Sequence, residues 1–181
     1  LDKVTHDLLS GKVHRRNLSL PQKAIFLDRD GVINLDKGLI CHESDFELYP
    51  ETAEAVRLIN QSDYIAVVVT NQPGIAKGMY DFEGLEEIHR KMDSLLGEER
   101  AKIDALYFCP HHPEKGFAGE RPEYKIVCEC RKPAAGMLLQ AAKDFNIDLA
   151  QSFIIGDHER DIVAGKTAGC KTIGVATGHG L

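Results

Sequence analysis

Ala24-Ile25-Phe26-Leu27-Asp28-Arg29-Asp30-Gly31-Val32 is an apolar run that ends in two carboxylates two residues apart, with a glycine directly behind them. A short apolar run closed by a turn former reads as a buried β-strand. Gly31 lets the chain turn, so the strand should stop at Asp28 and leave both acids at its carboxyl end. Open α/β sheets bind their ligands at that edge. Two acids held there can act as nucleophile and proton carrier, or they can hold a hard divalent cation. A solvated, capped turn is the plain alternative, and the rest of the chain has to decide.

Outward from this stretch, strand and helix signals alternate. Tyr64-Ile65-Ala66-Val67-Val68-Val69 is apolar throughout, as a strand covered on both faces should be, and it runs into Thr70-Asn71-Gln72-Pro73-Gly74. A third strand is expected over 103–108, delivering Cys109-Pro110-His111-His112-Pro113, a fourth over 152–156, ending in Asp157, and a fifth over 172–176. Helices are expected over 51–60, from Phe82 to Leu96, over 136–145 and over 159–168. In the second of these Phe82, Leu85, Ile88, Met92, Leu95 and Leu96 form a core stripe, and His89 beside it reads as solvated. Residues 33–46 read as a loop. The alternation predicts an α/β, Rossmann-like, mostly parallel sheet with helices on both faces and no large cap domain.

A chain of 181 residues is the size of one domain. Residues 1–22 read as a tail or linker, with a short helix at Thr5–Leu9, a basic cluster at His14, Arg15 and Arg16, and Pro21 before the first strand. Because the chain opens on Leu1, this tail would suit the joint to an upstream domain; residues 23–181 form the domain proper. The net charge of −6 argues against a nucleic-acid partner but is compatible with a small anionic substrate. No apolar run reaches membrane-spanning length and no signal-peptide pattern opens the chain. Of five cysteines, Cys109, Cys128 and Cys130 lie close together, a spacing that suits metal ligation better than a disulfide framework and fits a reducing, cytoplasmic compartment. Cys41 and Cys170 read as isolated thiols.

The polar groups after successive strands are Asp28 with Asp30, Thr70 with Asn71, the Cys109 loop leading to Lys132, and Asp157. In a parallel sheet these ends share one edge. A carboxylate attacking a phosphate dianion needs the repulsion offset by a cation and a lysine. Asp28 and Asp157 can supply metal oxygens, Lys132 an ammonium, and Thr70 a hydroxyl donor that adds no charge.

On Asp28-x-Asp30-Gly31, Thr70, Lys132-Pro133 and Gly156-Asp157-x-x-x-Asp161 the chain resembles the haloacid dehalogenase-like hydrolase superfamily, with Val32 where that family commonly has threonine. The resemblance implies that Asp28 is the nucleophile and Asp30 the general acid/base. It also implies Mg²⁺ held by Asp28, the Asp30 carbonyl and Asp157, with Asp161 a supporting acid. Thr70-Asn71-Gln72-Pro73-Gly74-Ile75-Ala76, Cys109-Pro110-His111-His112-Pro113 and Cys128-x-Cys130-Arg131-Lys132-Pro133 are similar to the heptose-1,7-bisphosphate 7-phosphatases, which neighbour the histidinol-phosphate phosphatases. That likeness implies a small phosphorylated sugar as substrate, in heptose precursor biosynthesis. It implies contacts at Arg29, Asp36, Lys37, Gly38, Leu39, Asn71, Gln72, Pro73 and Arg131, and structural Zn²⁺ on Cys109, His111, Cys128 and Cys130, with His112 the competing imidazole. Three thiolates and an imidazole make a closed tetrahedral site, and the loop between them looks too poor in apolar residues to order itself. The rivals are histidinol-phosphate hydrolysis and a catalytically silent, zinc-ordered interaction module.

Overall fold

A computed structural model describes residues 19–180. The expected helix at Thr5–Leu9 and the basic cluster lie outside them. The strands are β1 (Lys23–Leu27), β2 (Tyr64–Asn71), β3 (Ala105–Cys109), β4 (Phe153–Gly156) and β5 (Lys171–Gly174), and the helices are α1 (Thr52–Gln61), α2 (Phe82–Glu98), α3 (Gly136–Phe145) and α4 (Glu159–Ala168). All strand pairs are parallel, in the order β3-β2-β1-β4-β5. The chain winds from β1 outward through β2 to β3, then returns to place β4 on the other side of β1. The β1–β4 seam is therefore the switch point at which such sheets open a crevice.

Alternation along the strands divides the core in two. Ala24, Phe26, Ile65, Val67 and Val69 face α3 and α4, where Leu138, Ala141, Ala164 and Ala168 meet them. Leu27, Ala66 and Val68 face α1 and α2, against Val56, Ile88, Met92 and Leu96. Both faces of the central strands are thus covered, which is why β1 and β2 read as unbroken apolar runs. The α4 start is fixed by a capping box: the His158 side chain accepts from the helix backbone, and Asp161 answers from the third position. Asp81 caps α2 by accepting from Gly84 N.

Some details differ from the sequence reading. β2 continues to Asn71, so Thr70 and Asn71 belong to the strand, paired with Phe108 and Cys109 of β3. Residues 33–46 include a short 3-10 turn at Glu43–Asp45. Phe82 does not enter the core; it is 43% exposed and packs on Phe108 and Tyr124. His89 is half-buried with its ring 5.9 Å from Phe108, because β3 ends beneath that turn of α2. Among the described residues no second domain is inserted between the elements.

Candidate active site and metal cluster

β1 stops at Leu27, and Asp28 begins the turn that Gly31 completes with φ +82°. A Cβ at Gly31 would lie 2.4 Å from Asp157 Oδ2, so the glycine is what lets the β1 and β4 turns close on each other. Asp28, Asp157 and Asp161 come together with carboxylate oxygens within 4.8 Å of one another, and all three are buried. Lys132 reaches into the group and forms ion pairs, its Nζ 2.9 Å from Asp28 Oδ2 and 2.6 Å from Asp161 Oδ1. Burial raises the Asp28 carboxyl to about 6; Lys132 opposes that rise and the Asp161 charge adds to it. Three acids around one lysine leave negative charge in excess, and Asp157 Oδ1 is buried without a hydrogen-bond partner. That surplus and that orphaned oxygen fit a hard divalent cation.

Asp30 turns to a different set of partners. Its Oδ1 accepts from Arg29 Nη2 (2.9 Å) and Asn34 Nδ2 (3.0 Å), and its Oδ2 from Arg29 Nη2 (3.0 Å) and Gln72 Nε2 (2.9 Å). Burial alone would push this carboxyl up, but the Arg29 charge and these donors outweigh it and hold it below the usual range. Arg29 itself is 0% exposed and stacks over Phe46. The residue expected at the substrate is thus packed behind the acid it pairs with. Gln72 is likewise buried, bonded to Asp30, to Thr70 and to Tyr80. Asn71 spends its amide on the Lys132 backbone, donating to Lys132 O and accepting from Lys132 N, each at 3.0 Å, and so ties the end of β2 to the lysine.

The expected rim residues are placed more loosely. Asp36 accepts from Gly38 N and lies 3.3 Å from His179 Nε2, while Gly38 is exposed and Pro73 and Leu39 are half-buried. Lys37 pairs with Glu47 beside a groove of about 750 Å³ that also takes in Phe46, Arg57 and Lys91 and does not reach the acids. After β5 the chain crosses back over the site: Thr177 Oγ1 donates to Gly31 O (2.6 Å), and His179 N donates to Asp157 Oδ2 (2.8 Å). Thr177, His179, Asn34 and Tyr80 escaped the sequence reading. Their partners lie in other segments, and no local pattern marks them.

Cys109, His111, Cys128 and Cys130 form the second cluster. Cys130 Sγ lies 3.2 Å from both Cys109 Sγ and Cys128 Sγ, and His111 Nδ1 lies 3.4 Å from Cys130 Sγ and 3.6 Å from Cys109 Sγ. Edges of this size around three free thiols and an imidazole suit a tetrahedral ion with S and N ligands. His112 is directed elsewhere, its ring edge-on to Phe117 and its Nε2 3.9 Å from Glu114. Arg131 Nη1 donates to His111 O (3.2 Å), which ties the arginine to the cluster. The loop also has supports that the sequence reading missed. Phe117 lies between Lys77 (4.5 Å) and Lys125 (4.4 Å), Lys125 pairs with Glu120, and Arg121 N donates to Ala76 O. Lys77 is half-buried there.

A HAD-hydrolase-like family pattern matches residues 129–180. The chain is 41% identical over 162 residues to the D-glycero-beta-D-manno-heptose-1,7-bisphosphate 7-phosphatase of Haemophilus ducreyi, covering 88% of this chain and 86% of that protein. With the protein of the same description from Pasteurella multocida it shares 43% over 159 residues, 87% of this chain and 83% of the other. A crystal structure of D,D-heptose 1,7-bisphosphate phosphatase from B. bronchiseptica, complexed with magnesium and phosphate, superposes with a TM-score of 0.78 at 36% identity, covering 88% of this chain and 83% of that one. Identity above 40% across most of both chains, with the same sheet architecture, decides the family: this chain belongs to the haloacid dehalogenase-like hydrolases, in the family of heptose-bisphosphate phosphatases.

Proposed function

We propose that the chain is a Mg²⁺-dependent phosphatase that removes the 7-phosphate of D-glycero-β-D-manno-heptose 1,7-bisphosphate through an aspartyl-phosphate, in the making of heptose precursors for bacterial surface glycans. The observation that carries it is the buried set of Asp28, Asp157, Asp161 and Lys132 at the switch point of the sheet. The substrate comes from the relatives named above.

In this reading an Asp28 carboxylate oxygen attacks phosphorus, the P–O bond to the sugar breaks, and the departing oxygen takes a proton from Asp30. Water then attacks the phosphoaspartate and gives its proton to Asp30, which restores Asp28 and releases phosphate. Arg29 favours the carboxylate form of Asp30, the form that receives the proton from water. Lys132, 2.9 Å from Asp28, offsets charge as the dianion approaches, and the Thr70 hydroxyl donates to a phosphoryl oxygen. Mg²⁺, when bound, would offset the phosphoryl charge; Asp28, the Asp30 carbonyl and Asp157 would hold it. Arg131 would take the second phosphate or a sugar hydroxyl, with Asp36, Lys37, Gly38 and Leu39 on the rim. Zn²⁺ on Cys109, His111, Cys128 and Cys130 would be structural, since four protein ligands leave no open position.

Residues 23–181 would form one phosphatase domain behind a tail, 1–22. Free thiols throughout suit a reducing cytoplasm, and no described helix is long and apolar enough to cross a membrane. The test is phosphate release with Mg²⁺ from heptose 1,7-bisphosphate, fructose 1,6-bisphosphate, histidinol phosphate and a phosphopeptide. Strong preference for the heptose bisphosphate, stopping after one phosphate, is expected; preference for histidinol phosphate would replace the substrate assignment.

A further inference from the structure

Tyr80 lies outside every motif quoted above, yet it ends a chain of hydrogen bonds that leads into the site. Its hydroxyl donates to Gln72 Oε1 at 2.7 Å. The Gln72 Nε2 hydrogens go to Asp30 Oδ2 and to Thr70 Oγ1, both at 2.9 Å. All of Tyr80, Gln72 and Thr70 are buried. The tyrosine is seated by design of the backbone: a Cβ on Gly74 would lie 2.1 Å from its ring, so the Gln72-Pro73-Gly74 turn can wrap it only with glycine there. Ile75 and Leu85 close the same pocket, and Cys41 packs on it from the 36–41 segment.

The direction of these bonds matters. A carboxylate only accepts, so the amide nitrogen of Gln72 must face Asp30 and its oxygen must face Tyr80. With Nε2 turned this way, the Thr70 hydroxyl receives a hydrogen from Gln72 and keeps its own to give elsewhere. Were the amide reversed, Gln72 Oε1 would oppose the Asp30 carboxylate and would claim the Thr70 hydrogen. The Tyr80 phenol, by donating to Oε1, secures from the far side the orientation that Asp30 favours.

We propose that Tyr80 is a positioning residue of the active site, acting through Gln72 to leave the Thr70 hydroxyl free to donate to the transferring phosphoryl group. This rests on the reading of Thr70 and Asp28 under the proposed function. The side chains set a polarity, and the reaction uses it.

The experiment is a cycle of Tyr80→Phe, Thr70→Ala and the double variant. Each is assayed with Mg²⁺ on heptose 1,7-bisphosphate and on p-nitrophenyl phosphate, with Asp28→Asn alongside. Tyr80→Phe should lower kcat about tenfold and leave KM within about twofold, the signature of a donor lost in the transition state. In the Thr70→Ala background the same change should cost less than about twofold, because the group it acts on is gone. Gln72→Met, which keeps the tyrosine untouched, should lower kcat at least as much, since it also removes the bond to Asp30. A Tyr80→Phe or Gln72→Met chain with undiminished kcat overturns the proposal, and so does an equal loss with and without Thr70, which would mark a packing effect. If Asp28→Asn is inactive while Tyr80→Phe is unaffected, the Tyr80 proposal alone fails. If Asp28→Asn turns over, the reading of the site fails and takes the proposal with it.

Discussion

The two clusters of this molecule gather similar numbers of ionisable groups and hold them in opposite ways. Asp28, Asp157 and Asp161 are 4%, 1% and 0% exposed and stand on the ends of β1 and β4 and the first turn of α4. Cys128, Cys130 and His111 are half-buried on loops, and of the four residues only Cys109 belongs to a strand. Burying like charges is costly, and it is tolerated only where rigid elements, a paired lysine and a helix start hold them. The acids therefore sit on the sheet edge. Thiols and an imidazole carry no such penalty until a metal draws off their protons, so they can sit on a loop and stiffen it on demand. The acids are placed by the fold, while the loop that carries Arg131 gathers its thiols and imidazole where an ion could staple it.

The sharpest way to break that contrast is at the nucleophile. Asp28→Asn should lower phosphate release by about 10⁴ while circular dichroism and zinc content stay unchanged; activity within tenfold of the parent chain would overturn the assignment of chemistry to the acid cluster. Lys132→Met comes next. It strips the buried acids of their cation and should cost about 3–5 kcal/mol of stability along with activity, read as a fall in denaturant midpoint that added Mg²⁺ partly restores.

The staple should give a more local answer. Elemental analysis should find about one zinc per chain. Cys128→Ser, or chelation, should speed proteolysis between residues 113 and 127 and raise KM more than it lowers kcat, with the sheet still folded. Cooperative loss of the whole fold on zinc removal would erase the distinction between the two regions. Because Phe117, Lys77, Lys125 and Glu120 also brace the loop, its order should be weakened and not abolished.

The smallest effect concerns pH. Folding raises the Asp28 carboxyl to about 6, above its ordinary value, so the native chain binds this proton more tightly than the unfolded chain does. The contribution of this group to stability is complete at low pH and is lost as pH rises through about 6. Mg²⁺ needs the carboxylate, so its stabilising effect should appear where that contribution has gone: a rise in Tm of a few degrees at pH 7.5 and a smaller one at pH 5. Equal shifts at both would remove Asp28 from the cation site.

Much of this was legible because it is local. The expected helices over 136–145 and 159–168 are the observed α3 and α4, since a 3.6-residue apolar period and a terminal polar residue suffice to mark them. The acids, Lys132 and the cysteines stood out because each directly follows or flanks a recognisable strand or spacing. Arg29, Asn71 and Gln72 were equally visible as polar residues near the motifs, but their use was not. Gln72 meets Asp30 across 42 residues of sequence and Asn71 meets Lys132 across 61. Nothing near either pair announces the other.

The sequence alone determined the alternating α/β pattern, the turn after β1 and which acids and thiols are available to the two clusters, because periodicity, glycine and residue type act within a few positions along the chain. The tertiary structure decided the strand order that makes β1–β4 the crevice, and His111 over His112 as the imidazole beside the thiols. It also decided the burial that lifts Asp28 while Arg29 holds Asp30 down. These depend on which distant segments are brought within a hydrogen bond of one another, and burial, field and bond direction exist only once they are.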